Sequence, residues 1–129
     1  MRKITEADYI NALAIIEQYK AENGNILEAG DITIDLDKKQ VTRQGKSIIL
    51  TQKEYTLLLV LIENKDKVLS KMDIQKAVWG IDFDTFSNSI EVYINFLRKK
   101  IDKGFKQQVI FTQQGFGYYF KPNLISKVQ

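Results

Sequence analysis

The sequence predicts an α+β fold in which an antiparallel sheet, a three-helix core and a C-terminal β-hairpin follow one another. Three observations carry this prediction. Apolar and polar residues alternate from Ile26 to Ile49, which is typical of a half-buried sheet. Apolar residues at helical spacing then recur from Thr51 to Ile101. Alternation returns on both sides of a glycine-containing turn in Val109–Phe120, which indicates a hairpin.

An extra helix at Thr5–Ala21 is predicted before the sheet. Thr5 resembles an N-cap, and Asn23-Gly24 tolerates the left-handed conformation that ends many helices. Its apolar residues cover most of the circumference, although a helix on one core needs only one apolar stripe. Two interpretations stay open: a close fit within the chain, or a homodimer contact through the 5–21 helix.

The sheet is predicted as a meander with a structural role. Residues 31–37 form an alternating strand, and Lys38-Lys39 makes a turn. Gln40–Arg43 returns as a strand, Gln44-Gly45 makes the next turn, and Lys46–Leu50 completes the sheet.

Two helices are predicted next. Thr51 and Glu54 match a capping box, in which each side chain bonds the other residue's amide, and this helix runs to about Asn64. Ser70 caps the second helix, which stops at Gly80.

The third helix, Ser87–Ile101, has one apolar stripe and a basic end. Its core face has residues spaced by four, three and four positions: Ile90, Ile94, Leu97 and Ile101. Small polar side chains near the start of a helix can approach base edges, and the terminal Arg98, Lys99 and Lys100 can reach phosphates. A helix presented beside a hairpin is an arrangement that binds nucleic acid, so DNA binding is the leading hypothesis.

Composition and charge narrow the choice of function. The 129 residues include no cysteine and no histidine, so the usual zinc ligands and the commonest general base are missing, and no carboxylate spacing indicates a catalytic pair. We expect neither an enzyme nor a metal or cofactor. Residues 87–129 carry seven basic and two acidic residues, net +5. That surplus fits an end that faces phosphates, with a solvated lysine-rich surface as the alternative.

No signal peptide or membrane span is expected. Charges interrupt the N-terminal residues, and the longest uncharged apolar run, Tyr55–Ile62, is too short to cross a bilayer. We therefore expect a cytoplasmic protein with no membrane contact.

The order of elements is that of a winged helix-turn-helix, and four motifs support it. They are LTQKEYTLLLVLIENKDKVLSK (Leu50–Lys71), AVWG (Ala77–Gly80), SNSIEVYINFLRKKID (Ser87–Asp102) and GFGYYF (Gly115–Phe120). These residues resemble the C-terminal effector domain of bacterial OmpR/PhoB-type response regulators, over roughly Leu27–Pro122. We divide the chain into a helical extension (1–25), a winged-helix domain (26–123) and a tail (124–129). The receiver domain that precedes this fold in the family is not expected, because thirty residues are too few to form one.

The resemblance also implies the DNA-contacting residues. It assigns backbone phosphates to Lys71 and Trp79. It assigns the major-groove face of the third helix to Asn88, Ser89, Glu91, Val92, Asn95 and Phe96, with Arg98 as a phosphate or structural contact. It assigns the wing, which contacts backbone and minor groove, to Thr112, Gln114 and Tyr118. The Ile81–Phe86 loop corresponds to the segment that contacts RNA polymerase in activators of the family.

The sequence departs from the family at three of these positions. Many members carry arginine where this chain has Asn95, Phe96 or Gln114, and an arginine–guanine contact contributes about 1–3 kcal/mol. Phe96 can instead contact a thymine methyl, and Asn95 or Gln114 can pair with adenine, which favours an A·T-rich site. Phe96 extending the core, or docking on the N-terminal helix, is the other interpretation. The alternative to a DNA-binding transcriptional regulator is thus a winged-helix interaction or dimerisation module with weak or no DNA binding.

Overall fold

The computed structural model describes residues 17–18, 20–22, 24–80 and 88–122, without the side chains of Asn88 and Ser89. The elements are β1 (Ile26–Ala29), β2 (Ile32–Asp35), β3 (Gln40–Arg43), β4 (Lys46–Ile48), α1 (Gln52–Glu63), α2 (Lys71–Trp79), α3 (Asn88–Ile101), β5 (Ile110–Gln113) and β6 (Gly117–Phe120). Residues 17–18 and 20–22 are also helical. The rest of the predicted 5–21 helix, the 81–86 loop and the 124–129 tail lie outside the described residues.

The predicted α+β order is confirmed, with one more strand than the alternation indicated. Strands β1 to β4 form an antiparallel meander in chain order, and β5 pairs with β6 as the hairpin. Alternation alone does not separate β1 from β2. The turn between them is marked in the sequence only by Gly30, which adopts a φ of +62°.

The caps predicted for α1 and α2 are both present. The Glu54 amide donates to Thr51 Oγ1 at 3.3 Å, and the Thr51 amide donates to the Glu54 carboxylate at 2.9 Å. At α2 the Asp73 amide donates to Ser70 Oγ at 3.0 Å, and Asp73 completes a second capping box that was not predicted. Such caps satisfy amides that a helix start leaves without partners, typically worth about 1 kcal/mol.

The hydrophobic core lies between the inner face of the meander, the three helices and the hairpin. The predicted core face of α3 is confirmed, since its four residues are at most 2% exposed: Ile90, Ile94, Leu97 and Ile101. α1 packs against α2, α3 and β6. Because the buried stripe of α3 is fixed in this way, its opposite side must point outward.

Candidate nucleic-acid interface

The outward side of α3 carries a stripe with little charge, formed by Val92, Asn95, Phe96 and Lys99, here called the outer stripe. An α-helix turns about 100° per residue, so Val92, Asn95 and Lys99 lie within about 60° of one another around the axis. Val92 is 42% exposed and Phe96 is 45% exposed, and the other two are also exposed. Lys99 supplies the only cation of the stripe.

The first turn of α3 is tied to the start of α2. The Lys71 ammonium donates to the Glu91 carboxylate, and this hydrogen bond raises the pKa of Lys71 above its ordinary value. The Glu91 acceptor is therefore directed to Lys71 in this structure. The predicted contacts Asn88 and Ser89 belong to the same turn, and their side chains are outside the description.

Phe96 ends a row of aromatic rings that crosses from α2 to α3. The Trp79 and Tyr93 rings meet edge to face with centroids 5.0 Å apart, and Tyr93 meets Phe96 in the same way at 6.0 Å. Lys53 Nζ lies 5.7 Å from the Trp79 ring centre. The interpretation in which Phe96 extends the core does not fit this exposed position. Trp79, half-buried in the row, stays a predicted phosphate contact.

Arg98 joins α3 to the wing. Its Nε donates to the Ile110 carbonyl oxygen at 3.3 Å, and its Nη2 donates to Thr112 Oγ1 at 2.5 Å. Its guanidinium carbon lies 5.5 Å from the centre of the Tyr118 ring. The structure thus brings three of the predicted residues together. Of the two roles predicted for Arg98, the structural one matches these contacts. Tyr118 is buried, and this burial raises the pKa of its phenol.

Lys100 lies on the other flank of α3, away from the wing. Its Nζ donates to Glu54 Oε1 at 2.6 Å, and the Glu54 side chain is buried. In this structure its ammonium is paired with the carboxylate of the α1 capping box, and a phosphate contact by Lys100 stays a prediction that would have to replace this pair. Lys99, the preceding residue, is exposed on the outer stripe.

The wing is fixed to the segment that precedes α2. Leu69 and Tyr118 exchange two backbone hydrogen bonds of 2.8 and 2.9 Å, and the Asp66 amide donates to the Phe120 carbonyl oxygen at 2.8 Å. A Cβ on Gly117 would lie 1.9 Å from the Leu69 carbonyl oxygen. The second glycine of the G-x-G is therefore required by this close approach of two backbones.

An open groove of about 590 Å³ separates the wing from α2 and the first turn of α3. Lys71 and Met72 line one side, and the wing residues Gln114 and Phe116 line the other. Gln114, the third predicted wing contact, is exposed at the turn. The groove, the outer stripe and the wing turn together form the candidate interface.

Sequence reasoning missed Arg43, which is fully buried behind the end of α3. Its Nε donates to Asp31 at 2.9 Å, and its Nη1 donates to Asp102 at 3.1 Å. The guanidinium carbon lies 4.6 Å from the centre of the Phe105 ring. One signal could have found it: Arg43 has the same strand parity as the buried Val41, which predicts an inward side chain.

Asp102 extends this buried network into the wing. Its carboxylate accepts hydrogen bonds from the Val109 and Ile110 amides at 2.9 and 3.1 Å. Arg43 Nη1 also donates to the Ile101 carbonyl oxygen at 2.8 Å, at the last residue of α3. The sheet, the end of α3 and the first wing strand therefore meet at one cluster of charged groups.

The described part of the chain offers neither a metal site nor a membrane-spanning helix. No group of acidic side chains there is placed to hold a metal ion. None of the helices described is long and apolar enough to cross a membrane.

This chain is similar to known proteins in both sequence and fold. A family model described as "Transcriptional regulatory protein, C terminal" matches residues 45–120. The probable transcriptional regulatory protein TcrX of Mycobacterium tuberculosis is 43% identical over 101 residues, which cover 78% of this chain and 43% of TcrX. The chain thus spans less than half the length of this relative.

Solved structures agree with the family match. The DNA-binding domain of Klebsiella pneumoniae RstA, in complex with the RstA box, superposes with a TM-score of 0.67 at 26% identity, covering 76% of this chain and 98% of that one. DrrB of Thermotoga maritima, an OmpR/PhoB homologue, gives 0.68 at 27% identity, covering 86% of this chain and 52% of DrrB. The predicted winged helix-turn-helix and the OmpR/PhoB resemblance are confirmed. The chain belongs to the family of transcriptional regulatory protein C-terminal domains.

Proposed function

We propose that this chain is the DNA-binding part of a transcriptional regulator, with α3 in the major groove and the β5–β6 wing on the minor groove. The observation that carries the proposal is the exposed outer stripe of α3 together with a wing that Arg98 joins to the same helix. A B-DNA major groove about 12 Å wide admits an α-helix. Family membership and the DNA complex of RstA support the same arrangement.

Sequence reading would rest on neutral side chains. Asn95 can pair with the N6 and N7 edge of adenine, and Val92 and Phe96 can contact thymine methyls. Lys99 would contact a phosphate, and Gln114 would approach the minor groove from the wing. The proposal therefore favours A·T-rich half-sites and an affinity lower than an arginine-rich outer stripe would give.

Helix α2 would add contacts to the DNA backbone. Lys71, exposed at the start of α2, and Trp79, in the aromatic row, would contact backbone phosphates from α2. An RNA polymerase contact through loop 81–86 and a homodimer through the 5–21 helix concern residues that are largely outside the described part. We propose a cytoplasmic location because the family acts on DNA.

The test is selection of bound duplexes from a random pool, followed by anisotropy titration of the recovered site at several salt concentrations. We expect an A·T-rich motif, sub-micromolar binding and a decline of affinity with salt. Lys99→Ala should reduce the salt slope by about one, because one phosphate contact is lost. Lys100→Ala, whose ammonium pairs with Glu54, is the matched control and should leave the slope unchanged.

A failure to bind DNA would favour the alternative function, a winged-helix module for protein interaction or dimerisation. If no motif is recovered and affinity is weaker than micromolar at every salt concentration, the winged fold serves another partner.

A further inference from the structure

Phe116 holds a large apolar side chain in solvent at the turn of the wing. It is 66% exposed, more than any other aromatic residue in the described part. It stands between Gly115 and Gly117, and its amide donates to the Gln113 carbonyl oxygen at 2.9 Å, which closes the turn. The ring therefore stands free of the core at the turn of the wing, which is the part of the wing proposed to meet DNA.

The turn that presents Phe116 is mounted rigidly. The Phe111 and Tyr119 rings stack across the two wing strands with centroids 5.1 Å apart. Arg98 ties β5 to α3, and the Leu69–Tyr118 hydrogen bonds tie β6 to the segment before α2. A side chain on such a mount can be inserted into a partner with little loss of conformational freedom.

The chemistry around Phe116 fits a nucleic-acid minor groove. Residues 110–120 contain no charged side chain, so this wing cannot form ion pairs with phosphates. Beside Phe116 stand the amides of Gln113 and Gln114. Proteins that bend DNA from the minor groove use such amides to read A·T pairs, together with an apolar wedge such as phenylalanine between base pairs.

We propose that Phe116 enters the minor groove as a wedge, partly unstacks one base step and kinks the duplex. This inference rests on the proposed function and deepens it. The wing would then recognise how easily the DNA deforms, whereas many related wings carry an arginine at the position of Gln114. Pyrimidine–purine steps such as TA unstack most readily, so the site is expected to contain one under the wing.

The test uses the full chain and the selected duplex, with 2-aminopurine placed in turn at each adenine under the wing and with a donor and an acceptor dye at the two ends. Wild-type protein should raise the 2-aminopurine emission at one step and shorten the end-to-end distance. Phe116→Ala should abolish both signals and weaken binding about tenfold, and Phe116→Leu should keep most of each. Phe96→Ala, on the outer stripe, is the matched control: it should weaken binding but leave the emission and the bend intact.

Two outcomes overturn the wedge. The first is that Phe116→Ala binds with unchanged affinity, emission and bend. The second is a wild-type dimer in light scattering that Phe116→Ala dissociates, which would assign the ring to a second copy. Failure of the proposed function is distinguishable, since wild-type protein would then bind no duplex at all. The side chain is exposed, so circular dichroism melting of Phe116→Ala should match that of the wild type.

Discussion

The two sides of α3 use charge in opposite ways. Behind its end, Arg43 and Asp102 form a buried network with Asp31, and no part of the Arg43 side chain reaches solvent. On the outer stripe, Val92 and Phe96 are exposed and uncharged. An arginine inside and a phenyl ring outside reverse the usual burial preference. The difference shows that charged groups hold the end of α3 against the sheet, while the outer stripe turns mainly neutral side chains toward solvent.

Part of the positive charge in the C-terminal third of the chain is already engaged within the fold. Residues 87–129 carry a net +5, but Arg98 is committed to the wing and Lys100 to Glu54. Lys100 is itself exposed, as are Lys99, Lys103, Lys106 and Lys121. A count of charges along the sequence therefore overstates the charge offered to phosphates.

Arg43→Met should have the largest effect. It leaves the Asp31 and Asp102 carboxylates near a buried site without their cation, which typically costs about 3–5 kcal/mol. Urea unfolding of the full chain measures the loss. Lys46→Met is the matched control, because Lys46 Nζ lies 5.7 Å from the centre of the same Phe105 ring but is exposed, and it should cost less than about 1 kcal/mol. Equal losses would contradict the structural role assigned to the buried Arg43 network.

Gly117→Ala should have the next largest effect. Its Cβ would meet the Leu69 carbonyl oxygen at 1.9 Å, so the wing must move away from the segment before α2. We expect a loss of about 2–3 kcal/mol, as for overpacked sites. At Gly115 a Cβ meets nothing within 4 Å, so Gly115→Ala costs only the strain of its φ of +83°, about 1 kcal/mol. Thermal melting that ranked the two variants in the reverse order would contradict a rigid wing.

Sequence reasoning could predict what depends on local spacing. The core stripe of α3, the Thr51 cap and the hairpin all follow from periodicity and turn chemistry within a few residues. The Arg43 network could not be predicted, because its two carboxylates come from positions 12 and 59 residues away. The different fates of Lys99 and Lys100 also depend on tertiary packing, since only the fold places Glu54 beside one of them.

The smallest predicted effect depends on pH. Burial raises the pKa of the Glu54 carboxyl, but hydrogen bonds from Lys100 and from the Thr51 amide outweigh it and hold the pKa below its ordinary value. A lowered folded-state pKa means that the stabilisation is complete above the unfolded-state pKa and is lost as the pH falls through the folded-state value. We expect a small part of the stability to disappear as the pH falls below the unfolded-state pKa of the carboxyl, small because Lys100 is partly exposed.

Glu54→Gln isolates this contribution. The glutamine oxygen can still accept from the Thr51 amide, so the capping box survives while the charge is removed. The stability difference between wild type and variant, measured by urea unfolding from pH 7 to pH 3, should shrink as the pH falls. Lys100→Met should reproduce the loss at neutral pH, and Lys99→Met should not, because Lys99 lies on the outer stripe. If both lysine variants lost the same stability, the flank of α3 that faces α1 and its outer stripe would not differ in how they use charge.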